Sequence, residues 1–388
     1  MKNTAAQVSS IIKRVLKDGD SAVSYFTAKF DGKNIKPSSF RVSKTLVDAM
    51  ASRISPDLAK ALKKAAQNIT RFHKEEFSRL PKSWRINIAG TATGFIYKPV
   101  ETAGLYVPGG KYYSYPSTVL MTAIPARIAG VKRIIMATPP KNLTPAVLFA
   151  AKICGVDEIY AVNGPASIAA MAYGTKTIPK VDIIVGPGNA YINEAKRQIL
   201  DVCGIDSLAG PSEVAIIADR YANPEHIAAD LLAQAEHDSM AKAYLFCESD
   251  EIIATVRVLL SGENTKQITI FKSSVPEAVK RVNEIAPEHL EIMTANPETI
   301  VKKIQNAGAV FVGGNTPTAA GDYIAGPSHV LPTNGTARFS GGLSCATFIK
   351  KISYISAGKR RLSGRKDIVA IAAAEGLSFH ALSAKIRQ

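Results

Sequence analysis

From Ala103 to Gly314, short β-rich runs alternate with apolar segments of helical length, and no other feature of the chain restricts its fold as much. AGLYV, RIIMAT, EIYAVNG and VDIIVG are separated by STVLMTAIPARIAG, TPAVLFAAKICG and ASIAAMAYG, each long enough for a helix and each ending in Gly. A second series follows: EVAIIAD, NPEHIAADLLAQAEHD, AKAYLFCES, DEIIATVRVLLSG, QITIFKS, VPEAVKRVNEI, PETIVKKIQNAG and AVFVGG. Strands alternating with helices build βαβ units, and consecutive βαβ units form parallel sheets. The expected fold class is therefore α/β with two parallel-sheet modules, at 101–210 and 211–350. Residues 1–100 are expected to form a helical N-terminal region, because VSSIIKRVLKDG and LAKALKKAAQNITRFHKEEF space apolar residues three and four apart. Residues 351–388 form a separate C-terminal segment.

The 388 residues suit two to three domains and a large core. The formal charge of +16 raises the question of a polyanionic partner. It sits at the two ends: residues 1–100 are net +12 and residues 350–388 net +7, while residues 101–349 are net −3. No aromatic residues interleave with a basic stripe and no nucleic-acid-reading motif is present, so the basic ends are expected to be solvated faces and nucleic acid is not an expected partner. The four cysteines, Cys154, Cys203, Cys247 and Cys345, are far apart and fit neither a zinc ribbon nor a disulfide framework. No apolar run approaches the ~18 residues a membrane span needs. The N-terminus breaks into charges before a secretory apolar core forms. A cytoplasmic protein without a membrane partner is the expectation.

In parallel α/β sheets, ligands bind at the carboxyl ends of the strands, which directs the search to YVPGGK, GPGN, AGPSE and the stretch after AVFVGG. Neither glycine loop is a GxGxxG fingerprint. Gln234 and His237 lie three apart on one helix and so project from one face, a spacing that can give two ligands to one metal, although alone it is weak evidence. Glu288 and His289 put a carboxylate and an imidazole side by side after the helix-breaking Pro287, and both are plausible proton acceptors; the plain alternative is a helix-start Glu and an exposed His. Asp322 and His329 lie in a long Gly/Pro-rich stretch of the kind that persists in compact domains mainly when it builds a site. Glu375 and His380 lie near the C-terminus, either side of Gly376. His73 and His226 sit in polar helical surroundings and are assigned to structure.

Read together, AGLYVPGG, VDIIVGPGNAY, EAKRQ, IDSLAGPSEV, ADLLAQAEHD, APEHLEI, AGDYIAGPSHVLPT, GTARFSGGL and AEGLSFHA resemble the histidinol dehydrogenase family, in family order, from about residue 13 to the end. The resemblance implies two Rossmann-like modules, the second of them catalytic and packed by the N-terminal region, and a C-terminal dimer arm. It also implies two cofactors, one Zn²⁺ per subunit and NAD. Gln234, His237, Asp322 and His380 match the metal ligands, and Glu288 and His289 the proton acceptors. Ser212, His329 and Glu375, together with Gln234, His237, His289, Asp322 and His380, match substrate contacts. Tyr106 and Asn189 match NAD contacts. The implied reaction is the NAD-dependent four-electron oxidation of L-histidinol to L-histidine via L-histidinal, the last step of histidine biosynthesis, in a homodimer with shared active sites.

The sequence departs from the family pattern at Ala166, where a cofactor-contacting Gln is usual, and is shorter than the family at the N-terminus, within 238–287 and after His380. A paralogue with the same zinc frame that oxidises another small alcohol, such as a sulfonated diol, is the alternative within the enzyme class. Glu375 favours an amine-bearing substrate over a sulfonate, whereas Ser328, where Asn is common, weakens that preference. The alternative from another class is a non-catalytic protein binding a polyanion through the basic ends.

Overall fold

The computed structural model describes residues 2–387 apart from 110–114, 237–238, 264, 359–361 and 363. His237 lies outside the described residues. Four helices open the chain: α1 (Lys2–Asp18), α2 (Asp20–Asp31), α3 (Lys44–Ala51) and α4 (Pro56–Arg79). Their apolar spacing explains their burial. Val8, Ile11, Ile12 and Val15 form the buried face of α1, and Leu62, Ala65, Ile69 and His73 that of α4.

Strands β1 (Trp84–Ile88) and β2 (Thr91–Pro99) follow. The first α/β module then runs β3 (Thr102–Tyr106), α5 (Pro116–Ile128), β4 (Arg133–Thr138), α6 (Pro145–Ile153), β5 (Glu158–Ala161), α7 (Gly164–Tyr173), β6 (Ile183–Val185), α8 (Ala190–Gln198) and β7 (Gly204–Ile205). The second runs β8 (Glu213–Ala218), α9 (Pro224–Ala235), β9 (Lys242–Cys247), α10 (Asp250–Leu259), β10 (Ile268–Lys272), α11 (Val275–Ile285), β11 (His289–Met293), α12 (Pro297–Val301) and β12 (Ala309–Val312). The chain closes with α13 (Thr318–Tyr323), β13 (Ile349–Ser356), α14 (Arg365–Ala374) and α15 (Ser378–Lys385).

Both modules contain a five-stranded, wholly parallel sheet, with orders β5-β4-β3-β6-β7 and β10-β9-β8-β11-β12. Numbered within each module, both orders are 3-2-1-4-5, the doubly wound arrangement that the alternating sequence predicts. The strands are almost wholly buried because helices cover both faces, which is why they read as continuous apolar runs.

Two compact units result: residues 1–77 with 101–348, which hold both modules, and residues 78–100 with 349–388. This division differs from the sequence reading. Residues 84–99 are strands, not helix, and pair antiparallel with each other and with β13 in the sheet β1-β2-β13. The ladder is fixed by partners 250 residues away, which no local periodicity reports. The N-terminal helices divide between the modules: α1 and α2 bury Val8, Ile12, Val23 and Phe26 among Ile168, Met171 and Ile192 of the first, whereas α4 meets residues of the 211–350 segment, Asn68 donating to the Ile324 carbonyl oxygen and Phe72 packing on Gly326. The second module keeps its own cores on either side of its sheet.

Candidate active site

A cleft of about 1140 Å³ runs between the two modules of the larger unit, and it meets their sheets at opposite ends. The first module presents the carboxyl ends of its central strands, through Tyr106–Gly109 after β3 and Pro187–Asn189 after β6. The second presents the amino ends, through Ser212 before β8 and Glu288–His289 at the start of β11. The expectation of carboxyl-end loops therefore holds for the first module and fails for the central strands of the second. AGPSE lies after β7 and before β8, where the chain passes straight from one sheet to the other.

The first half of the cleft depends on close backbone packing. Gly186 has φ +119°, and a Cβ there would lie 2.2 Å from the Tyr106 carbonyl oxygen, so only glycine fits. Lys196, 1% exposed, donates from Nζ to the Gly186 carbonyl at 2.6 Å and to Asp206 Oδ1 at 2.5 Å, while Asp206 Oδ2 accepts from the Gly186 N–H at 2.7 Å. This buried pair, supplied by EAKRQ and IDSL, locks the GPGN loop to the chain leading into AGPSE. Tyr106 Oη donates to Asn163 Oδ1 at 2.9 Å, and burial pushes the phenol up, so it remains a neutral donor. Asn189 caps α8, its Oδ1 accepting from the N–H groups of Tyr191 and Ile192.

The second half is built at one turn. Helix α11 stops at Ala286, whose φ of 53° is left-handed, and Pro287 cannot continue the helix. The chain leaves this turn extended, so Glu288 and His289 open a central strand. This corrects the helix-start reading of Glu288 and the exposed reading of His289; both are buried. Gly308 permits the approach, since a Cβ there would meet the Glu288 carbonyl oxygen at 2.6 Å.

Ser212 Oγ donates to Glu288 Oε2 at 2.5 Å, and the Glu213 N–H adds a longer bond at 3.2 Å. Burial nevertheless dominates and pushes the Glu288 carboxyl up to about 8, assisted by the negative charges of Asp322 and Glu213. A carboxyl held there can give or take a proton near neutrality. His289 Nε2 lies 3.8 Å from Asp322 Oδ1, and its ring packs 5.7 Å from that of Phe311. His329 Nδ1 is 3.0 Å from the Asp322 carbonyl oxygen.

One cleft thus gathers Tyr106, Asn189, Ser212, Glu288, His289, Asp322 and His329. Gln234 is buried at the end of α9, and its amide nitrogen has no hydrogen-bond partner among the described residues. Glu375 and His380 are exposed residues of the smaller unit. Sequence reasoning missed Asn163, Lys29 and Lys141, which also line the cleft. Asn163 follows β5, so the carboxyl-end rule points to it; Lys29 ends a helix far away in sequence and gave no signal.

The two histidines assigned to structure are bonded within the fold. His226 Nδ1 is 2.7 Å from the Gly314 carbonyl oxygen. His73 Nδ1 is 2.6 Å from Glu76 Oε2, which also accepts from the Cys345 N–H at 3.3 Å. The Cys345 thiol completes a group of three potential ligand atoms within 4.8 Å of one another. Burial opposes ionisation of Glu76, but these hydrogen bonds outweigh it and hold the carboxyl low, while burial and Glu76 push the thiol up. The group clasps α4 to the 345–348 turn. All four cysteines are free and buried, and no helix among the described residues is long and apolar enough to cross a membrane.

Two doubly wound sheets facing a cleft that ends on a buried carboxyl–imidazole pair define a two-module α/β protein whose cleft presents groups able to exchange protons. The histidinol dehydrogenase family model matches residues 1–388. Histidinol dehydrogenase from Synechococcus sp. is 46% identical, with 99% of this chain and 92% of the relative covered. That from Listeria innocua is 44% identical, with 99% and 92% covered. The crystal structure of histidinol dehydrogenase from Elizabethkingia anophelis superposes with a TM-score of 0.89 at 36% identity, covering 98% of this chain and 91% of that one. The chain belongs to the histidinol dehydrogenase family.

Proposed function

We propose that the cleft carries out the NAD-dependent four-electron oxidation of L-histidinol to L-histidine through L-histidinal. The observation that carries this reading is the adjacency of Glu288 and His289, two proton acceptors buried at one end of a cleft whose other end is lined by Tyr106, Asn163, Lys29 and Lys141. The balance is one alcohol, one water and two NAD⁺ giving one carboxylate, two NADH and three protons. In the first oxidation His289 takes the alcohol proton as hydride leaves for the nicotinamide. In the second Glu288, ionised and aligned by Ser212, takes a proton from the water that adds to the aldehyde, giving a hydrate from which the second hydride departs.

The donor set suits one zinc ion per subunit. Gln234 offers a buried amide whose oxygen can ligate, Asp322 a carboxylate beside His289, and His237 and His380 would complete a nitrogen–oxygen set. Bound zinc would orient and polarise the substrate's polar groups. Ser212, His329 and Glu375 would contact the substrate, together with the metal-binding residues and His289. Glu375 and His380 come from the smaller unit, and the reading places them in the partner's site of a cytoplasmic homodimer. Relatives named histidinol dehydrogenase match along the whole chain, which favours neither the sulfonated-diol paralogue nor a polyanion-binding protein.

The test is NADH release with L-histidinol, with and without a chelator, beside the sulfonated diol. Two NADH per histidinol, abolished by the chelator, is the expected result; no chelator-sensitive turnover of histidinol would overturn the assignment. Tyr106 and Asn189 are the proposed NAD contacts, and Tyr106→Phe removes the hydroxyl that holds Asn163 at the cleft, so the KM for NAD should rise about fivefold, equivalent to about 1 kcal/mol, with little change in kcat. Ala166 is fully buried in α7, so the contact that the usual Gln would make is absent here, and this should make Tyr106 more important.

A further inference from the structure

Glu291 lies two residues after His289 on β11 and therefore on the same face of the strand, 1% exposed. Its Oε1 accepts the N–H of Thr318, the first residue of α13, at 3.1 Å. Four residues along that helix is Asp322. On its other side Glu291 faces Asp230, a largely buried residue of α9 one turn before Gln234. Glu291 Oε2 is buried and receives no N–H or O–H from the described residues.

Two carboxyl groups buried against each other cannot both remain ionised, and the orphaned oxygen shows where a donor is missing. One proton held between them supplies that donor. It turns a repulsive contact into a hydrogen bond from β11 to α9, while Oε1 keeps its bond to α13. His226 on α9 faces Asp230.

We infer that Glu291, bonded to the first residue of α13 and buried beside Asp230 of α9, is a positioning residue that holds the helices carrying Gln234 and Asp322 in register with the strand carrying His289. The pair touches neither substrate nor cofactor. It acts as the supporting layer behind metal ligands does, where loss of a partner typically costs 10- to 100-fold in metal affinity. The inference rests on the proposed assignment of Gln234 and Asp322 as metal donors.

Zinc affinity of the full-length protein, measured by competition with a chromophoric chelator, tests it alongside the thermal midpoint of the metal-free form. Glu291→Ala should weaken zinc binding about 10- to 100-fold. Glu291→Gln should bind within about threefold of wild type, because its amide oxygen still accepts from Thr318 and its nitrogen donates to the Asp230 carboxylate. A purely structural residue would lower the thermal midpoint and leave zinc affinity unchanged, and that result for Glu291→Ala would overturn the inference. If Glu291→Ala does not fold, Asp230→Ala replaces it, since it removes the α9 partner and leaves the Glu291–Thr318 bond in place; unchanged affinity there overturns the inference equally. Asp322→Ala separates the two levels. Normal zinc binding in that variant would defeat the donor assignment and the inference with it, whereas weakened binding beside an unaffected Glu291→Ala would defeat the inference alone.

Discussion

Glu288→Gln is expected to lower kcat for L-histidinol oxidation by about 100- to 10,000-fold, the range a positioned general base commonly supplies. The amide keeps the size of the carboxyl group and can still accept from Ser212, so what is lost is the basic oxygen. Because the alcohol proton is assigned to His289, the first hydride transfer should survive and the second should stall. Rapid-mixing absorbance at the NADH band would then show about one NADH per site followed by a slow phase, against two in wild type. His289→Asn should lose the first NADH as well. A Glu288→Gln variant within tenfold of wild type would exclude Glu288 as the base.

The same substitution carries a stability signature. Burial raises the Glu288 carboxyl from its ordinary range to about 8 in the folded chain. Between pH 4.5 and 8 the folded protein therefore binds a proton that the unfolded chain has released. This contribution to stability is complete below about pH 4.5 and is lost as pH rises through about 8. Gln cannot ionise, so metal-free Glu288→Gln should be no more stable than wild type at pH 4.5 and increasingly more stable toward pH 8, by a few kcal/mol at most. Urea melts of the metal-free proteins at several pH values would measure the gap. A gap that stays constant with pH would show that the carboxyl titrates normally.

The alternation between β3 and β12 was legible because the central strands are buried on both faces and four of the helices are capped by residues adjacent in sequence: Asn163 for α7, Asn189 for α8, Asn223 for α9 and Ser249 for α10. Strand β11 was not legible. Its His and two flanking Glu residues have poor strand preference, and only its place between β8 and β12 compensates. Of the site, the Glu288–His289 pair announced itself by adjacency and the family motifs supplied its neighbours. The end of the sheet from which the second module faces the cleft was hidden, because it follows from packing between modules. So was Glu291, an unremarkable residue in HLEIM until Thr318 and Asp230 are placed against it in three dimensions.

Two inactive chains should restore each other. In the smaller unit Glu375 caps the end of α14 and His380 lies on α15, and in this single chain Ile371, Phe379 and the α15 cap Ile386 are 61%, 82% and 64% exposed. Apolar side chains gathered on so small a helical pair need a cover, and a second copy of this chain supplies one if the pair reaches into the partner's active site. Glu288→Gln removes the proposed base from the larger unit and His380→Ala removes a proposed metal ligand from the smaller. Each homodimer is then defective in both sites. A mixed dimer contains one site with both lesions and one with neither, provided that each site draws Glu288 from one chain and His380 from the other. After dissociation and random re-pairing, half of the dimers are mixed and each has one working site, so about a quarter of wild-type activity should return. If each site is built within a single chain, the mixed dimer holds one lesion per site and no activity returns beyond the sum of the two variants. That outcome would refute the shared site while leaving the chemistry of Glu288 and His289 untouched, because their geometry lies wholly within the larger unit.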